Sequence, residues 1–120
     1  ENAGVTAALN DMLVQAPGGR YITLFPVWPH DEPATFTSLR VKGGLLVSAS
    51  WTPGVGVDNG VVVAATTDCL CTLQRPFGDD DLHVECEGTT PTLTRDGDRV
   101  AWQMKTGQRC VVSRAATRLM

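Results

Sequence analysis

The sequence lacks the features that mark several common functional classes. Its 120 residues carry 13 acidic and 10 basic side chains, so there is no excess of positive charge to bind nucleic acid or an anionic membrane surface. Its longest apolar run, Val61 to Ala65, is far shorter than the ~20 residues of a membrane-spanning helix. No glycine-rich phosphate loop and no Ser-His-Asp or Cys-His arrangement can be read from the residue order. We therefore expect neither a nucleic acid nor a membrane as a partner.

Cysteine is scarce, and its spacing predicts no metal centre. The four cysteines are Cys69, Cys71, Cys86 and Cys110. They form one Cys-x-Cys pair followed by two distant residues, and neither histidine lies at a ligand interval. If these residues form disulfides, they favour an extracellular or secretory-pathway protein. If they do not, buried free thiols are the alternative.

The acidic run Asp79–Asp81 is the strongest candidate for a cation site, because Ca²⁺ prefers carboxylate oxygens. Three consecutive aspartates rarely converge on one ion without other ligands, so a solvated turn is favoured. We therefore predict no metal and no cofactor.

Glycine and proline, with 12 and 7 residues, interrupt the chain too often for long helices. Beyond Gly19, alternating apolar and β-branched segments between turn residues predict short strands. These segments are 21–25, 36–41, 45–51, 61–66, 69–74, 82–86, 90–95, 99–104 and 108–114. The pairs Asn59-Gly60 and Asp96-Gly97 predict tight hairpin turns. The expected fold is all-β: a small antiparallel β-sandwich of about eight strands, with one short N-terminal helix.

That helix is predicted from the apolar stripe Ala8, Leu9, Met12 and Leu13, within Val5 to Gln15. Pro17-Gly18-Gly19 ends it. Because so short a helix is marginal by itself in water, its stripe must pack on the β-domain or on another piece of protein. The chain begins at Glu1 and not at a methionine, so we expect a processed product or a fragment.

Several stretches of the first 75 residues resemble a known family. They are Glu1-Asn2-Ala3-Gly4, Asn10-Asp11-Met12-Leu13-Val14-Gln15, Phe25-Pro26-Val27-Trp28-Pro29, Ser38-Leu39-Arg40-Val41-Lys42-Gly43-Gly44, Asn59-Gly60-Val61-Val62 and Cys71-Thr72-Leu73. In this order they are similar to the closing segment of six-hairpin glycosidases, specifically the α-L-fucosidase-like enzymes of glycoside hydrolase family 95. There a helix ending Met-Leu-x-Gln leads through a glycine turn to a strand, a Phe-Pro or Leu-Pro and a Trp-Pro.

The resemblance implies a division of the chain and a role. Residues 1–17 would be the end of a catalytic-domain helix, and residues 18–120 a C-terminal β-sandwich that packs on an (α/α)6 catalytic domain. The family hydrolyses glycosides with inversion, which requires two carboxyl groups. The general acid would lie upstream of this chain, and only Glu1 and Asn2 would remain at the edge of the active site. This chain alone is therefore expected not to be catalytic.

The aromatic residues are the remaining candidates for sugar contact. Trp28 and His30 lie in the loop that the resemblance places at a domain junction, where aromatic faces could stack on pyranose rings; packing in an interface or core is the alternative. Trp102 lies between Val100 and Met104 with core spacing, whereas Trp51 ends a strand and is the more exposed candidate. Tyr21 would complete a platform with these two tryptophans.

Two hypotheses follow. In the first, the chain is the structural accessory β-sandwich of a glycoside hydrolase, its partner is the catalytic domain, and Trp28 and His30 line the rim of the substrate cleft. In the second, it is a free-standing secreted β-sandwich that binds glycans or protein partners.

Overall fold

A computed structural model describes residues 14–15, 21–26, 28–41, 43–77 and 81–115 of the chain. Within these ranges the regular structure is entirely strand. The strands are β1 (Val14–Gln15), β2 (Thr23–Leu24), β3 (Ala34–Val41), β4 (Leu45–Thr52), β5 (Gly56–Val57), β6 (Val61–Ala65), β7 (Cys69–Gln74), β8 (Leu82–Cys86), β9 (Thr94–Asp96), β10 (Arg99–Met104) and β11 (Arg109–Arg114). No helix in these ranges is long and apolar enough to cross a membrane. The all-β class is thus confirmed.

The strands form a β-sandwich of two main antiparallel sheets. The larger sheet has the order β3-β4-β6-β11-β8, with β5 beside the end of β4. The smaller sheet has the order β7-β10-β9, and Ile22 extends it by a parallel bridge to Leu73. β1 and β2 pair separately, with Val14 opposite Leu24. The predicted antiparallel sandwich is therefore present.

The core lies between the two sheets because each strand turns alternate side chains inward. In β8 the residues Leu82, Val84 and Cys86 are buried while the residues between them are exposed. In β10 the same alternation buries Val100, Trp102 and Met104. Such alternation is typical of sheets that pack one face on a core and leave the other in water.

The Asn59-Gly60 pair does not form the predicted hairpin turn. β5 and β6 both pair antiparallel with β4, so residues 58–60 link two strands that run in the same direction beside β4 and do not reverse the chain. The Gly60 amide donates to the Val112 carbonyl at 3.1 Å, and the Asn59 side-chain oxygen accepts from the Arg114 amide at 2.8 Å. This segment therefore joins β5 and β6 to the neighbouring strand.

A tight turn with two left-handed residues occurs instead at Glu87-Gly88, with φ of 53° and 89°. It joins Cys86 to Thr89, whose backbone N–H and C=O groups form two hydrogen bonds with each other, as the residues that flank a type I′ turn do. The Asp96-Gly97 turn is where it was predicted, because Asp96 pairs with Arg99 across it.

The predicted N-terminal helix falls almost entirely outside the described residues. Its last two positions, Val14 and Gln15, are described and form β1. The helix therefore does not extend to Gln15 as predicted, because these two residues pair with β2.

Candidate functional site

A cluster of five rings closes one end of the sandwich, and we call it the aromatic cluster. Its members are Phe25, Trp28, His30, Phe36 and Trp51. Phe25 is central: its ring centroid lies 6.2 Å from that of Trp28, 5.5 Å from that of Phe36 and 5.6 Å from that of Trp51. These separations are within the range of favourable aromatic pairs. Rings from β3, from β4 and from the segment after β2 thus meet at one buried phenylalanine.

The strand register explains why the cluster lies at the end of the core. Phe36 is opposite Ala49, and the next inward pair along the strands is Ala34 and Trp51. Trp51 therefore continues the inward row of β4 at the end of the sheet. Both tryptophans are partly buried against the core, whereas His30 is exposed. A Cβ atom at Gly56 would lie 3.8 Å from the six-membered ring of Trp51.

The loop of residues 29–32 is tied to both tryptophans. The indole N–H of Trp28 donates to the Glu32 carbonyl at 2.7 Å, and that of Trp51 donates to the His30 carbonyl at 3.2 Å. A turn closes the loop, because the Glu32 amide donates to the Pro29 carbonyl at 3.2 Å. Both indole donors are consequently bound to backbone carbonyls, which orients the two rings.

The loop carries polar side chains beside these rings. His30, Asp31 and Glu32 are all exposed, and the ring centroid of His30 lies 5.7 Å from that of Trp51. Small-ligand sites are lined mainly by apolar and aromatic side chains with a small number of polar groups. The aromatic cluster and its loop are therefore the candidate functional site.

Phe25 is held in an uncommon backbone conformation, with a φ of 50°. A left-handed conformation is costly for a bulky residue and persists only where surrounding packing imposes it. Here three aromatic neighbours hold the ring, which is 6% exposed. The packed core thus fixes Phe25 in this conformation directly after β2.

The structure brings together Trp28, His30 and Trp51, which the sequence placed in two separate candidate sites. Trp102 belongs to the core, as its spacing predicted, with 1% exposure. Tyr21 lies elsewhere, and its ring is covered by the Arg99 guanidinium at 3.7 Å, so it forms no platform with the two other rings. Glu1 and Asn2 lie outside the described residues.

Phe25 and Phe36 were not predicted as site residues. Their apolar character predicted only burial, and nothing in the local sequence indicated that β3 and β4 would bring them to the same ring. The signal that could have found Phe36 is the alternation along β3, where it is buried between two exposed threonines.

The four cysteines divide into one disulfide and two free thiols. Cys86 and Cys110 are bonded and are direct partners in the register of β8 and β11. Cys69 and Cys71 are not bonded. Burial raises the pKa of Cys71 to about 12 and, with a smaller contribution from Asp68, raises that of Cys69. Neither thiol has the lowered pKa of a reactive cysteine.

The acidic run can be assessed only at Asp81, because Asp79 and Asp80 lie outside the described residues. Its carboxylate accepts a hydrogen bond from the Leu82 amide at 2.8 Å and from the Arg95 guanidinium at 2.9 Å. The first of these bonds is the main cause of its lowered pKa. In the described part of the chain no group of histidine, cysteine and carboxylate side chains converges as a metal site.

Comparison with known proteins adds no assignment, because no family model matches the chain and no curated protein matches it significantly.

Proposed function

We propose that this chain is the accessory β-sandwich domain of a glycoside hydrolase, packed on an (α/α)6 catalytic domain and not catalytic by itself. The aromatic cluster lies where the two domains meet, and Trp28 and His30 line the rim of the substrate cleft. The catalytic carboxyl groups belong to the partner domain, and Glu1 and Asn2 lie at the edge of that active site.

The position at which the chain enters the sandwich is the observation that carries this proposal. β1 pairs with β2 so that Val14 lies opposite Leu24, the residue directly before Phe25. The described part of the chain thus begins at Val14, close to the aromatic cluster. A domain connected through the residues that precede Val14 would be close to Trp28 and His30, which fits the arrangement that the family resemblance implies.

The Cys86–Cys110 disulfide supports a location outside the cell or in the secretory pathway. Structural disulfides form and persist in oxidising compartments and are rare in the cytosol. Its two cysteines are buried, with exposures of 1% and 0%, so the fold shields the bond from solvent.

The second candidate is a free-standing secreted module that binds glycans. It is favoured by the partial exposure of the two tryptophans, because a ring surface that no other part of the described chain covers can stack on a sugar. This alternative requires no catalytic domain.

The coding sequence upstream of Glu1 distinguishes these functions. The proposal expects an (α/α)6 domain there, and it expects the complete protein, but not the 120-residue chain, to hydrolyse aryl glycosides. In the complete protein, Trp28→Ala should raise KM, whereas Leu70→Ala, an exposed apolar residue in the other sheet, should leave KM unchanged. A signal peptide directly before Glu1 would contradict the proposal in favour of the glycan-binding module, and hydrolysis by the chain alone would contradict its non-catalytic part.

A further inference from the structure

We infer that Asn59 is a site of spontaneous covalent modification, at which the side chain loses ammonia and becomes a carboxylate, and that the fold restrains this reaction through one backbone hydrogen bond. The inference is independent of the accessory role, because the reaction needs neither a catalytic domain nor a bound ligand.

Asn59 differs from the other asparagines of the chain in the residue that follows it. The three asparagines are Asn2, Asn10 and Asn59, and they precede alanine, aspartate and glycine in that order. When a backbone nitrogen attacks the preceding side-chain amide, a glycine nitrogen is the least hindered nucleophile because glycine has no Cβ. Asn59 and Gly60 are both exposed, and a Cβ atom at Gly60 would have no described residue within 4 Å apart from its chain neighbours. Water and base therefore reach this link.

The reaction needs no reagent other than water and a base. The Gly60 nitrogen gives its proton to the base and forms a bond to Cγ of Asn59. The bond from Cγ to the side-chain nitrogen then breaks, and that nitrogen takes up the proton and leaves as ammonia. Water opens the resulting succinimide at either of its carbonyl groups, which gives aspartate or isoaspartate. The sum is asparagine plus water to either product plus ammonia, with no change in oxidation state.

Strand β11 holds both of the groups that react. The Gly60 N–H donates to the Val112 carbonyl at 3.1 Å, and the Asn59 side-chain oxygen accepts from the Arg114 amide at 2.8 Å. The nitrogen of a succinimide carries no hydrogen, so the bond to Val112 cannot exist once the ring has closed. The folded chain therefore reacts only while the Gly60–Val112 bond is open. Because exposed ends of a fold open locally without global unfolding, the fold slows the reaction and does not abolish it.

The two products differ in how they fit beside Arg114. The aspartate product retains an acceptor for the Arg114 amide and brings a negative charge to the guanidinium, whose Nη1 lies 3.5 Å from the Asn59 oxygen. Hydrogen bonds between charged partners are stronger than neutral ones. The guanidinium also lies over the Phe77 ring, 4.6 Å from its centroid, so its charge is already in place. Isoaspartate instead adds one carbon to the main chain, which moves the Gly60 amide away from Val112.

The consequence of the isoaspartate product reaches the aromatic cluster through β5. Val57 of this strand lies opposite Trp51, and the Asp58 amide donates to the Ser50 carbonyl at 2.9 Å. The link from residue 58 to residue 60 is what joins these contacts to β11. We therefore expect the aspartate product to keep the fold and the isoaspartate product to loosen β5 beside Trp51.

Peptide mapping by mass spectrometry tests the site and its restraint. The chain is incubated at mildly alkaline pH, folded and in urea with its disulfide intact, and a peptide of residues 56–62 in the same two solvents corrects for the effect of urea. In the unfolded chain Asn59 should react faster than Asn10, the internal control without a following glycine. In the folded chain it should react at least about fivefold more slowly than in the unfolded chain, because one backbone hydrogen bond contributes about that factor. An Asn59 that is no faster than Asn10 would overturn the site, and equal rates in the two states would overturn the restraint.

Hydrogen exchange of the Gly60 amide tests which bond provides the restraint. If the same local opening admits both reactions, the factor by which the fold slows exchange of this amide should equal the factor by which it slows loss of ammonia. A Gly60 amide that exchanges as fast as in the peptide, while Asn59 stays protected, would assign the restraint to another contact.

Two variants and one purified product test the role of Arg114. Asn59→Gln should lose no ammonia at this position, because the longer side chain cannot close a five-membered ring. Asn59→Asp supplies the aspartate product, and its urea midpoint should be at or above that of the parent chain. The isoaspartate form, separated from the incubated chain by chromatography, should have a lower midpoint than the parent chain. A lower midpoint for Asn59→Asp, or an unchanged one for the isoaspartate form, would overturn the proposed difference between the products.

Discussion

Removing the Cys86–Cys110 disulfide tests the arrangement of the larger sheet, because the bond joins β8 to β11 at directly opposed residues. The two cysteines are 24 positions apart in sequence. Cross-linking a loop of ~25 residues lowers the entropy of the unfolded chain enough to stabilise the fold by about 3.5 kcal/mol. We expect the double variant Cys86→Ala/Cys110→Ala to lose at least this free energy of unfolding.

The variant also deletes two buried sulfur atoms, and a matched control separates that effect. Cys71 is equally buried but forms no disulfide, so Cys71→Ala measures the cost of one deleted sulfur. Urea unfolding of the three proteins, with linear extrapolation to water, gives the free energies. The measurements should be made without reductant at acidic pH, where thiolates that exchange with disulfides are rare.

Two results would refute this reasoning. If the double variant loses no more than twice the free energy that Cys71→Ala loses, the bond contributes nothing to stability beyond the packing of its sulfur atoms. If the oxidised, denatured parent chain contains four titratable thiols in place of the two at Cys69 and Cys71, the disulfide is absent.

Three further predictions concern the turns and the core. Gly44→Ala should destabilise the fold more than Gly54→Ala does, as measured by chemical denaturation. Both glycines have a positive φ, so each alanine incurs the cost of a left-handed conformation, about 1–2 kcal/mol. Only at Gly44 would the added methyl group also overlap the Thr67 side chain. Burial raises the pKa of Cys71 from its ordinary value of 9.0 to about 12. As the pH rises, the unfolded chain therefore loses this proton before the folded chain does, and the free energy of unfolding should fall between pH 9.0 and pH about 12. That fall should shrink in Cys71→Ala, and an identical pH profile in the two proteins would contradict it. Trp102→Ala should cost about 3–5 kcal/mol, as a large core deletion does, and thermal unfolding near that of the parent chain would place this ring outside the core.

The strand positions could be predicted because each depends on neighbouring residues. Alternation of apolar side chains located β7 and β10 with the bounds that the structure shows, Cys69–Gln74 and Arg99–Met104. The same local signal indicated that Trp102 faces inward. Backbone geometry alone produces this period of two, so no knowledge of the partner strands was needed.

Turn residues were less reliable, since the same pair serves different geometries. Asn59-Gly60 is a favourable hairpin pair, yet it links β5 and β6 along one edge of β4. Glu87-Gly88, a less typical pair, makes the tight turn. Which of these pairs reverses the chain depends on whether the flanking strands pair with each other, and that is decided by the sheet.

The candidate site shows most clearly what tertiary structure decided. The sequence by itself determined an all-β chain, the inward face of strands such as β8 and β10, and the presence of polar residues before β3. It did not bring Trp28 and Trp51 together, because they are 23 positions apart and belong to different segments. The antiparallel register of β3 and β4 carries Trp51 to the end of the core. There the rings of Phe25 and His30 contact it, and Phe25 also contacts Trp28. Contacts between distant segments follow from strand pairing and packing, to which no local pattern of residues corresponds.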